Sequence, residues 1–177
     1  MTEQNTDLIK NSSPQHHLAD LNIISLKKFI FLSLISLGLY NLWWTFKAWR
    51  FFAIKDNLKI MPAARAIFSI FFLYSLFKKI NNYAQENGYT QNFSATWMFI
   101  GYLLCTLASR LPDFYWFISL FSFLFFIPAF VALNYAKQHS DQINAIVQNK
   151  FNTAQIVVIV IGSIFWILAL IGLLFGD

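Results

Sequence analysis

The sequence predicts an all-α integral membrane protein with four transmembrane helices plus one membrane-embedded or interfacial helix; five transmembrane helices are the alternative. Three observations predict it. Charged residues make up 12% of the 177, about half the ~25% of an ordinary soluble domain. Apolar residues make up 58% and fall in long unbroken runs, with the charges gathered between them, as a bilayer solvent demands. Aromatics reach 19%, with 21 Phe, a residue that inserts favourably into hydrocarbon.

Each element follows in order. Residues 1–26 are polar, carry no periodic apolar pattern and read as a flexible tail; residues 27–177 read as one helical membrane domain. Lys27 and Lys28 precede a first span at 28–46. No small-residue cleavage site follows, so a retained anchor is expected. Tyr40, Trp43 and Trp44 would form its aromatic belt, and residues 47–61 an interfacial stretch or an extension of that helix. Pro62 opens and Gly88 closes a helix over 62–87. Its apolar part, 66–77, covers twelve residues, about 18 Å against a ~30 Å hydrocarbon core, so the helix is placed in or on the membrane without crossing it.

A second span is predicted at 93–109, capped by Asn92 or Ser94. Arg110 to Asp113 makes a turn, and 114–133 is the third span, with Pro128 expected to kink it. Ile143, Ile146, Val147, Phe151 and Ala154 fall at helical spacing, which predicts an amphipathic surface helix at 140–152. The fourth span is 156–175. With four spans, nine of the 13 Lys and Arg residues share the side of the 47–92 loop and four lie opposite. The positive-inside rule then puts that loop in the cytoplasm and both termini outside. A fifth span would leave seven against six and decide nothing.

The net charge of +5 does not point to nucleic acid, because the basic residues flank apolar runs where membrane orientation places them. His16, His17 and His139 lack ligand partners at helical spacing, so no metal or other cofactor is expected. No nucleophile elbow, phosphate loop or Cys/His arrangement occurs, which argues against an enzyme. Cys105, the one cysteine, reads as a packing residue.

Six residues stand out as functional or packing positions. Arg65 interrupts an apolar helix just before its Phe-rich part, where snorkelling is the simpler account. Asn41 and Asn134 lie near span ends, where amides bond across helices. Gly101, Cys105 and Ser109 repeat every four residues along one face, as Gly172 and Gly176 do later; small residues at that spacing let helices approach closely. Folding of the bundle on itself is the first use of such a face, and self-association the second.

Within Ser36–Ile80, Gly38, Tyr40 and Trp44 make a G-x-Y-x-x-x-W element, followed by the basic-aromatic Lys47 and Trp49. Ile60, Pro62, Arg65, Ala66 and Phe68 make an I-x-P-x-x-R-A-x-F element. This quarter of the chain resembles a group of small uncharacterised multi-spanning bacterial inner-membrane proteins. The resemblance implies a multi-pass protein of the bacterial cytoplasmic membrane and implies no activity. The expected partners are the lipid bilayer and either a second copy or another membrane protein. A non-enzymatic regulatory, envelope or immunity-type role comes first, a small oligomeric transporter or channel second, and a lipid-modifying enzyme third.

Overall fold

The computed structural model describes residues 22–111, 113–140 and 145–175. Among these the protein is all-α apart from one two-residue strand pair. The elements are β1 (Asn22–Ile23), α1 (Leu26–Ile35), α2 (Leu39–Lys55), α3 (Pro62–Ile67) and α4 (Ser69–Glu86). They continue with α5 (Ala95–Ala108), a 3-10 helix (Asp113–Phe126), α6 (Ile127–His139), β2 (Ile146–Val147) and α7 (Thr153–Phe175).

The predicted first span does not run straight. Ser33, Ser36, Leu37 and Gly38 end α1 in a Schellman turn: the Gly38 N–H donates to Ser33 O at 2.9 Å and the Leu37 N–H to Leu34 O at 3.2 Å. Leu37 and Gly38 both take positive φ, 51° and 89°, and the chain folds back. Phe29 and Trp44 rings come to 6.0 Å, whereas fifteen residues of straight helix would hold them about 22 Å apart. Residues 28–46 are therefore a hairpin rather than a crossing. Ser36 serves both arms, ending α1 and accepting the Tyr40 N–H of α2 at 2.9 Å.

Pro62 opens a helix as expected, and Gly88, at φ 84°, lies just past its end. Phe68, at φ −88° and ψ 40°, splits the predicted 62–87 helix into α3 and α4. Ser94, not Asn92, caps α5 through the Trp97 N–H at 3.4 Å.

Pro128 does not kink a helix; it sits in the first turn of α6, after fourteen residues of 3-10 helix. In that geometry side chains at i and i+3 eclipse, and burial follows the rows. Ile118, Phe121 and Leu124 are exposed, while Phe123 and Phe126 are buried.

Two other expectations are corrected. Residues 145–152 are not helical, since Ile146 and Val147 pair in parallel with Asn22 and Ile23. The N-terminal tail therefore ends at residue 21 at the latest, because Ile23 and Ile24 are buried. His16, His17, Lys10 and Gly176 lie outside the described residues.

The core forms where α1, α2, α4 and α6 meet. Phe29 stacks on Phe130 at 4.3 Å, and Trp44, Phe77 and Tyr102 each meet Phe126 edge-on at 5.4–5.9 Å. Tyr40 and Trp44 are thus core residues rather than an interfacial belt; Trp43 is half-exposed. Among the described residues two helical segments are long and apolar enough to cross a membrane: Ile118–His139 and Thr153–Gly172. Ala95–Ala108 is apolar but shorter.

Candidate functional site

The polar groups gather at two levels, and α7 supplies the ruler. Its N-terminus is fixed by a reciprocal capping box. Asn152 Oδ1 accepts the Gln155 N–H at 2.8 Å, and Gln155 Oε1 accepts the Asn152 N–H at 3.0 Å. Gln155 is buried, and its amide nitrogen donates to the Tyr40 hydroxyl at 3.3 Å, tying α7 to α2.

At the same level Lys28 donates to Gln148 O at 3.0 Å, and Lys137 is 6% exposed with its ammonium 4.4 Å from the Phe51 ring centre. In the sequence Lys137 looks like an ordinary surface anchor, four residues past the predicted span at 114–133. Its burial depends on α2 folding across it. Asn134, singled out in the sequence, belongs here too, donating to Ile24 O at 3.1 Å.

Arg65 also lies toward this end. Its guanidinium is 4.4 Å from the Trp49 ring centre and 5.2 Å from that of Phe72. It bridges α2 and α4 by cation–π contact, where simple snorkelling would leave it in the headgroups. Nearby, Lys79 and Lys55 hold the Asp56 carboxylate at 2.6 and 3.1 Å. Partial burial pushes that carboxyl upward, but the two lysines outweigh it with hydrogen bonds and charge and hold it below the usual carboxylate range.

The second level is the tip of the α1–α2 hairpin. Ile35 O packs against Gly162 so closely that a Cβ there would lie 2.2 Å from it, and the Trp166 indole N–H donates to Leu34 O at 3.4 Å. Gly162 is nine residues into α7, about 14 Å from its start. That depth is close to half of a ~30 Å hydrocarbon layer. At this depth Ser33 donates to Asn41 Oδ1 at 2.8 Å, in a buried bond across the turn. Asn41 is 3% exposed, and its amide nitrogen has no partner among the described residues. A cavity of about 290 Å³ adjoins it, walled by α2, α4, α5 and the 3-10 helix.

The small-residue face of α5 divides between these surroundings. A Cβ on Gly101 would fall 2.1 Å from the Phe125 ring, so its absence seats the 3-10 helix on α5. Cys105 is partly buried. Ser109 lines the cavity and donates to Thr106 O at 2.7 Å. Gly101 thus packs within the chain, whereas Ser109 is exposed. Gly172 has nothing within 4 Å of its would-be Cβ; the close-packing glycine of α7 is Gly162, which the four-residue spacing did not select. Comparison with family models, with curated proteins and with solved structures finds no match for this chain.

Proposed function

We propose that this chain is a multi-pass protein of the bacterial cytoplasmic membrane, non-enzymatic, that works through contacts made inside the bilayer. The observation that carries the reading is the outer surface of α7. Over Thr153–Gly172 its mean hydropathy is 2.7, yet only 11% of that window is buried. Water would not tolerate such a surface, whereas lipid or a neighbouring helix accepts it. The likeness of the Gly38–Phe68 region to small bacterial membrane proteins supports the compartment.

The same reading revises the number of crossings. Counting α5 as a short span, Ile118–His139 and α7 make three, with the α1–α2 hairpin entering halfway. Residues 22–24, the 47–61 and 88–92 segments and the α7 N-terminus then share one face, with Arg110 at the other. That concentration of lysines and arginines makes the first face cytoplasmic.

A photo-crosslinking side chain at Val160 or Leu168, both more than half exposed, tests the proposal in native membranes. The chain is expected in the membrane fraction after an alkaline wash, joined to one discrete protein. Crosslinks to lipid alone would remove the partner, and a monodisperse chain without detergent would remove the membrane. The oligomeric transporter or channel is the second reading. It is favoured by the polar cavity at mid-depth and requires that the crosslinked neighbour be a second copy.

A further inference from the structure

Irregular backbone at membrane depth persists only where protein or a water-filled cavity covers it. Two chain breaks meet at the depth of Gly162: the hairpin tip, with Leu37 and Gly38 at positive φ, and the bend at Phe68 that leads into Ser69. Both Gly38 and Ser69 wall the 290 Å³ cavity.

The wall is hydroxyl-rich, and its hydrogen bonds are already polarised. Thr45 gives its proton to Asn41 O at 2.8 Å, Thr106 to Tyr102 O at 2.8 Å and Ser109 to Thr106 O at 2.7 Å. With those protons committed to the backbone, the three oxygens offer lone pairs to the cavity. Asn41 adds the opposite character, a buried amide N–H₂ with no acceptor among the described residues. Among the described residues no Asp, Glu, Lys or Arg side chain lines the space, and a charged guest would find no neutralising partner among them at a depth where that is costly.

We propose that this cavity is a binding site for a small uncharged polyol, whose hydroxyls donate to Thr45, Thr106 and Ser109 and accept from Asn41. The volume, at the lower edge of the ~300–1,000 Å³ typical of ligand pockets, accommodates a small polyol such as glycerol. A polyol of about six heavy atoms binds with a Kd near 10 mM at ordinary ligand efficiency. The inference rests on the membrane reading above and goes beyond it in naming a ligand.

Glycerol is the probe, and the full chain in lipid nanodiscs is the sample. Ser122 lines the cavity; Ser122→Cys in a Cys105→Ala background supplies a single thiol for a small neutral methanethiosulfonate. The thiol is expected to react, and 50 mM glycerol to slow it about sixfold for a Kd of ~10 mM. Sucrose at the same osmolarity, too large to enter, is expected to leave the rate unchanged. Asn41→Leu should weaken glycerol about tenfold, the loss of one hydrogen bond, so that protection falls to about 1.5-fold. Should Asn41→Leu fail to insert, Ser109→Ala decides, with protection at least halved. An unreactive thiol in inserted protein, equal slowing by sucrose, or full protection in the inserted variant would each overturn the site. None of these results bears on whether the chain resides in the membrane, which its fractionation reports separately.

Discussion

Arg65 shows what one side chain can do in this protein. Its guanidinium contacts Trp49, itself 1% exposed, and Phe72, and so clamps α2 to α4. A desolvated cation–π contact contributes about 1–2 kcal/mol. Arg65→Ala is therefore expected to lose ~2 kcal/mol of stability in detergent, with insertion unchanged, read by thermal unfolding. Arg65→Lys, which keeps the charge but not the planar stacking, should fall between. A lipid-snorkelling arginine gives a different result: Lys would match Arg, and Ala would cost almost nothing. The residue itself stood out in the sequence, because a cation before a Phe-rich run is rare; its partners did not, since Trp49 is sixteen positions away on another helix. Asn41 was legible in the same limited way, as an amide near a span end. That its neighbour is Ser33 follows only once the chain reverses between them.

Elements were legible where local chemistry decides them. Pro62, Gly88 and Ser94 mark ends that capping and φ preference set within four residues, and the structure keeps them. The apolar run at 28–46 has the composition of a span but carries no sign of direction, and the reversing turn uses a leucine at φ 51°, where glycine would be expected. Ile146 and Val147 fit a helical period but pair with Asn22 and Ile23, which no local pattern announces. Glycine spacing failed likewise on α7, where what matters is the facing atom. A methyl on Gly162 would lie 2.2 Å from Ile35 O and 2.8 Å from Ile35 C. This is backbone, which cannot swing aside. Gly162→Ala is expected to part α1 from α7 at ~1–3 kcal/mol. Gly172→Ala, facing open space, should remain within ~0.5 kcal/mol of the parent. Unfolding of both variants side by side in one detergent checks the contrast. Equal losses would mean that α7 does not pack on the hairpin tip.

For the whole molecule, the proposed membrane reading turns on which ends share a side, and the contacts at the polar level give it a definite expectation. The Gly88 carbonyl accepts the Tyr135 hydroxyl at 3.3 Å, Asn134 reaches Ile24 O, and Gln148 N donates to Ile23 O at 2.8 Å. Those bonds put the 88–92 loop, the start of the described chain and the approach to α7 within one layer. From that layer α7 runs 23 residues, about 35 Å, enough to cross a ~30 Å core. A reporter before residue 22 and one at residue 85 should thus both read cytoplasmic, and one at the C-terminus external. Four straight spans predict external, cytoplasmic, external, because a first crossing at 28–46 would separate residue 22 from residue 85. Five would return the chain to the side of residue 22 before residue 85 and leave three crossings to the C-terminus, the same relative pattern as the hairpin. A fourth reporter at residue 57 is therefore needed: it should share the side of residues 22 and 85 for the hairpin and oppose both for five spans. With the reporter at residue 57 included, the three patterns differ pairwise. The physical hinge of the outcome is the Schellman turn at Ser36–Gly38. If residue 22 and residue 85 report opposite sides, Phe29 and Trp44 cannot be neighbours in the membrane, and the hairpin, its half-depth tip and the cavity beneath it go together.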